Sequence, residues 1–274
     1  TLEHLQGRIA VAKKVLKEGI EYCPKNHRLH HALGDLYREA KMLDSAERAY
    51  RRALELSPPV SNCFAYTALA YVAYERGCIE ECRSWLRKSV SLNDGRHSQG
   101  WVALAQMEEA EGNVNAARGI CIGAVALYER GLLQRNGSFG KRWNAATADF
   151  GKPVQIKGEN KVMTLNSENL LARKEDLFQT VPQYRSGDKF INVFRNWARL
   201  EESYGSSDSV DEVYQRSSFA FPYDWKLMVN WAQYYTKHSL PDKARSLFLQ
   251  ACQRAKNRHA DPYRLYAEYE MGSG

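Results

Sequence analysis

The 274-residue sequence lacks the usual starting points for chemistry and for membranes. No run of 18 or more apolar residues occurs, so no helical membrane span is expected. There is no Gly-x-x-x-x-Gly-Lys phosphate loop, no Gly-x-Ser-x-Gly elbow and no His-Glu-x-x-His metal helix. These absences argue against an enzyme. The six cysteines, at 23, 63, 78, 82, 121 and 252, include no Cys-x-x-Cys pair and are too sparse for a secreted disulfide framework. A reducing intracellular compartment is expected, with no zinc and no other cofactor. Residues Thr1 to Arg8 have none of the character of a signal peptide. His27 and His31 stand one turn apart, a metal-ligand spacing, but no acidic residue is placed to complete a site, and hydrogen-bonding surface histidines are expected.

What is present is a period. Ala12, Leu16, Gly19 and Pro24 are followed 34 residues later by Ala46, Tyr50, Ala53 and Pro58. Small residues let two helices approach, a larger residue one turn on wedges between them, and proline ends the second helix. Leu33, Gly34 and Tyr37 then belong to the first helix of a repeat spanning about His27 to Pro58. The next unit carries Tyr66, Leu69, Ala70, Cys82, Leu86 and Ser89, and a third carries Trp101, Ala105, Glu108, Ala117, Arg118 and Cys121. A fourth follows with Phe194, Trp197, Ala198, Glu201 and Tyr214, and a fifth with Trp231, Ala232, Ala244, Arg245 and Phe248. The fold expected is an all-α helical-repeat solenoid of antiparallel helix pairs. At its helix contacts Cys82 and Cys121 act as small apolar residues, and the Trp and Tyr stripes form interhelical core.

Between Arg130 and Asp188 the period vanishes and Gly, Asn, Ser and Lys accumulate. The expected organisation is repeats over 1–128, an irregular insertion over 129–188, repeats again over 189–271 with the last one truncated, and a Gly-containing tail at 272–274 set apart from them. The insertion is expected to be partly disordered, with one short helix around 168–179; the alternative is a small hairpin across 154–164. Glu108 and Glu201, the first residues of two adjacent carboxylate pairs, are assigned to packing or hydrogen bonding within the solenoid, and Glu109 and Glu202 to a wetter face.

Leu-Gly-x-x-Tyr at 33–37, then Ala46 and Tyr50, then Pro58, resembles the tetratricopeptide pattern. Trp197-Ala198-Arg199-Leu200-Glu201 with Ala244-Arg245-Ser246-Leu247-Phe248 resembles the half-a-TPR, or HAT, repeat. Blended, the two are similar to the chloroplast HAT-repeat factors that stabilise transcripts. The resemblance implies a non-enzymatic clamp on single-stranded RNA, acting in RNA processing, mRNA stabilisation or translation. It also implies a chloroplast stroma location, with the nucleus as alternative.

In such a fold the first helix of each unit lines the concave face. That face is expected to carry Arg28, His31 and Arg38, then Tyr71 and Tyr74, then Arg195 and Arg199, then Lys226, Gln233 and Lys237. Basic groups would neutralise phosphates and tyrosine faces would stack bases. The net charge of +7 agrees with an acidic partner. Arg254, Lys256, Arg258 and Arg264, with His259, make a second basic patch. Asp35, Glu39, Glu75 and Glu109 lie near the groove residues, so the alternative is a scaffold for protein–protein interaction that binds peptides or other subunits.

Overall fold

The computed structural model describes residues 2–92, 97–129, 153–155, 162–164, 189–255 and 258–272. They divide into two compact units, one reaching as far as Glu111 and the other taking up from Gly112. The first holds α1 (Leu2–Tyr22), α2 (His27–Glu39), α3 (Leu43–Leu56), α4 (Asn62–Glu75), α5 (Ile79–Ser91) and α6 (Ser98–Ala110). The second holds α7 (Val114–Glu129), α8 (Ile191–Tyr204), α9 (Ser207–Ala220), α10 (Trp225–Lys237), α11 (Pro241–Ala255) and α12 (Asp261–Gly272). The fold is a series of antiparallel helix pairs. Its one described departure is a hairpin in which β1 (Pro153–Gln155) pairs antiparallel with β2 (Val162–Thr164), Val154 opposite Met163. The hairpin alternative for the insertion is thus the form described, and the helix expected around 168–179 lies outside the described residues. The two helices of the expected third repeat fall in different units, α7 packing against α8. Among the described residues no helix is long and apolar enough to cross a membrane.

The period has a packing cause. Gly34 lies against the Tyr50 ring so closely that a Cβ there would come within 2.5 Å of two ring carbons. Glycine is therefore required for α2 and α3 to meet with tyrosine between them. Tyr50 is fully buried, in one cluster with Ala46, Ala68, Leu69 and Val72. The turns between paired helices repeat as well. Met42 N–H donates to Tyr37, Cys78 to Ala73 and Leu240 to Tyr235, the six-residue closure of a Schellman motif, around residues of positive φ at Lys41, Gly77 and Ser239. Between α3 and α4, the extra residues after Pro58 form a short 3-10 turn, Pro59–Ser61.

A second device recurs. In each of three places the arginine just after the small residue of one helix forks onto a glutamate of the next: Arg83 onto Glu108 at 2.6 and 2.9 Å, Arg118 onto Glu201 at 2.8 and 2.5 Å, Arg245 onto Glu270 at 2.9 and 3.2 Å. At the corresponding place on α9 and α10, the Tyr235 hydroxyl and the Trp231 indole donate to Asp211. A two-point guanidinium–carboxylate pair fixes orientation as well as distance. The Ala-Arg and Trp-Ala-x-x-Glu signatures are the two halves of one link between successive repeats, which bears out the hydrogen-bonding role within the solenoid expected for Glu108 and Glu201.

Candidate functional site

One described cleft stands out, in the first unit where α2, α3 and α4 meet. It has a volume of about 430 Å³ and is open to solvent. Its floor is small and apolar, with Ala32, Ala53 and Ala65. Its rim is polar, with His27, Arg28, His31 and Asp35 from α2 and Ser57 and Ser61 from the connection to α4, and Phe64 closes one side with 53 % of its surface exposed. Asn26 sets the start of α2 by accepting the Arg28 N–H at 3.0 Å. From that cap, residues 28, 31 and 35 fall on one face of the helix.

The rim is wired to the core. His31 Nδ1 lies 3.2 Å from Asp35 Oδ2, and the buried Tyr50 hydroxyl donates to Asp35 Oδ1 at 2.7 Å. The hydrogen bond to Asp35 raises the His31 pKa above its usual 6.5, against the opposing pull of burial. Burial pushes Asp35 the other way from its final position; the bonds from His31 and Tyr50, with the charges of His31 and Arg38, outweigh it and hold the carboxyl below its ordinary value. For His31, then, Asp35 is the acidic partner that the histidine-spacing argument passed over. It orients the ring rather than completing a metal site, and among the described residues no group of three or more metal-ligating side chains comes together.

Two of the groove residues expected from sequence, Arg28 and His31, line this cleft. Others are already engaged. Arg38 pairs with Glu75 at 3.0 Å and lies over the Tyr71 ring at 5.5 Å, and Lys41 takes the other Glu75 oxygen at 2.8 Å. Tyr71 is therefore half-buried beneath a guanidinium, while Tyr74 is exposed. In the second unit Arg195 pairs with Asp224 at 3.1 Å, and Arg199, exposed, reaches Asn196 at 3.4 Å. Lys226, Gln233 and Lys237 are exposed, Lys226 standing 5.6 Å from the Trp225 ring. The second basic patch is dispersed: Arg254 is half-buried against the Ser218 carbonyl and its pKa is lowered by burial, Arg264 pairs with Glu268, Arg258 is exposed, and Lys256 lies outside the described residues. Sequence reading missed Ser57, Ser61 and Phe64. The one signal that pointed to Phe64 is an aromatic beside the fully buried Cys63 in a helix otherwise rich in alanine.

Residues 27–59, the segment carrying α2, α3 and most of this cleft, match the tetratricopeptide repeat family. No curated protein sequence matches the chain. Among solved structures, yeast Tom70 aligns with a TM-score of 0.54 at 11% identity over 95% of this chain and 42% of that one. BtubC (BKLC) from P. vanneervenii aligns with a TM-score of 0.50 at 14% identity, over 93% and 91%. At such identities the likeness is one of fold. Tetratricopeptide repeats generally mediate protein–protein or peptide binding.

Proposed function

We propose that this chain is a non-enzymatic tetratricopeptide-type module that binds an extended peptide of a partner protein in the cleft between α2, α3 and α4. The observation that carries this reading is the cleft itself: an apolar floor wide enough for side chains, rimmed by polar groups and one exposed phenylalanine, on a repeat of that family. A random nonapeptide pool passed over the immobilised chain tests it. The pool should be enriched by the wild type and not by Arg28→Glu or Phe64→Asp, with circular dichroism confirming that both variants fold. Equal retention by all three places the binding elsewhere.

Single-stranded RNA is the second reading, supported by the exposed Arg199, Lys226 and Lys237 and by the Arg–Glu links that match the half-a-TPR resemblance. It stands second because base stacking needs open ring faces. Of the two tyrosines expected to stack, Tyr74 is exposed but Tyr71 is covered by Arg38, while Trp231 is stacked on Tyr214 at 5.6 Å and Trp197 is buried. Salt-dependent binding of short single-stranded RNA, unaffected by the cleft variants, would reverse the order.

A further inference from the structure

We infer that the α2–α4 cleft takes an acidic peptide segment, with aspartate or glutamate side chains entering it, and that the protonation state of His31 sets how tightly that segment is held. The inference rests on the peptide-groove reading above and adds a ligand chemistry and a control to it.

The charge inventory of the cleft is short. From α2 come His27, Arg28, His31 and Asp35; the lining residues of α3 and α4 and of the connection between them, Ala53, Ser57, Ser61, Phe64 and Ala65, carry no charge. Each oxygen of the half-exposed Asp35 carboxylate holds one bond, Oδ1 from Tyr50 of α3 and Oδ2 from His31. Arg38 adds its charge to Asp35 from the far side but is itself held by Glu75 of α4. Arg28 has no carboxylate partner among the described residues, so its guanidinium is the cation the cleft has to offer.

His31 decides whether that cation is felt. A carboxylate can only accept, so the proton on Nδ1 stays with Asp35 and the one that leaves is on Nε2. Nε2 is buried and no group among the described residues completes a well-aligned hydrogen bond to it, although the Phe64 backbone adds to the preference for the charged ring. Protonated, His31 cancels Asp35, and the cleft carries the positive charge of Arg28 together with whatever charge His27 holds. Deprotonated, Asp35 is left uncompensated and offsets Arg28. An anionic ligand is therefore favoured below the raised pKa of His31 and loses that advantage as pH climbs through it, and binding of the anion must raise that pKa further.

A fluorescein-labelled nonapeptide of serine and alanine carrying three aspartates, and its asparagine counterpart, would be titrated with the full chain by anisotropy from pH 5.5 to 9. With His27 replaced by Gln, so that His31 is the one histidine lining the cleft, the aspartate peptide should bind more tightly at low pH and weaken about three- to tenfold along a one-proton curve, as expected for losing one charge at close range near a surface. The asparagine peptide should show no such curve. Asp35→Asn keeps an acceptor for Tyr50 and should retain tight binding at pH 9; His31→Gln should bind the aspartate peptide weakly at every pH. Equal, pH-independent binding of both peptides overturns the inference and leaves the groove reading intact. Failure of both, with the random pool still retained, also overturns it; loss of the pool as well overturns both readings.

Discussion

The repeat at residues 27–59 and the repeats of the second unit solve the same problem with different groups. In the first, the wedge residue Tyr50 sits against Gly34 and spends its hydroxyl on Asp35, which turns toward the cleft rim. In the second, the corresponding Tyr214 bonds to Glu202, and beside it a buried carboxylate is at work: Glu201, 2 % exposed, accepts from both Arg118 and the Trp197 indole. One repeat leaves its polar contact at the surface, where a ligand can use it. The other closes its contact inside, where it fixes the angle between helices. What differs is the depth of the carboxylate, and depth decides whether a charged pair serves recognition or architecture.

The largest test of that contrast is Glu201→Ala. It strands the Arg118 guanidinium and the Trp197 N–H in a closed interface, and a loss of about 3–5 kcal/mol in urea unfolding is expected. A loss below about 1 kcal/mol would mean that the link is no more than a surface pair. In the first unit His97 is among the buried polar groups, 6 % exposed and bonded through Nε2 to Thr67 at 3.1 Å with Phe64 against its ring. Burial lowers its pKa to about 4. Because the unfolded chain takes up the proton first, the contribution is complete above pH 6.5 and is lost as pH falls toward 4, on the order of 2–3 kcal/mol. His97→Gln should flatten that part of the stability profile; an unchanged slope would assign it to other groups.

Gly34→Ala forces Tyr50 and α3 aside and should cost roughly 1–3 kcal/mol by thermal melting, whereas a neutral result would show that α2 and α3 can separate freely. Ser239 holds a positive φ in a turn where the equivalent residue of an earlier repeat is Gly77. Ser239→Gly should therefore stabilise by about 0.5–1 kcal/mol. Smallest of all is Arg245→Ala: its fork onto Glu270 has the same geometry as that of Arg118 but is exposed, and no measurable change in melting is expected. Comparing Arg245→Ala with Arg118→Ala, which removes the same fork from a buried carboxylate, isolates burial from geometry.

Much of the fold was legible because its signals are local. A small residue at a fixed interval can only mean that two helices approach there, as Gly34 and Ala46 do, and the Ala-Arg and Glu spacings recur because each repeat must be tied to the next. The site was less legible. Arg38 and Arg195 are basic residues on the expected helices, yet their charges are taken up by Glu75 and Asp224, which lie 37 and 29 residues further along the chain. No periodicity reports such a pairing.

Helix pairing, the turns that join the helices and the identity of the wedge residues were thus determined by the sequence alone, since each depends on side-chain size within a 34-residue window. Which cations remain to meet a partner was decided by tertiary structure. Folding brought Glu75 to Arg38 and Asp35 to His31 and Tyr50 while leaving Arg28 at the cleft with no carboxylate among the described residues. Charge is long-ranged and is cancelled by whatever the fold carries alongside, so only the assembled helices reveal what is left over.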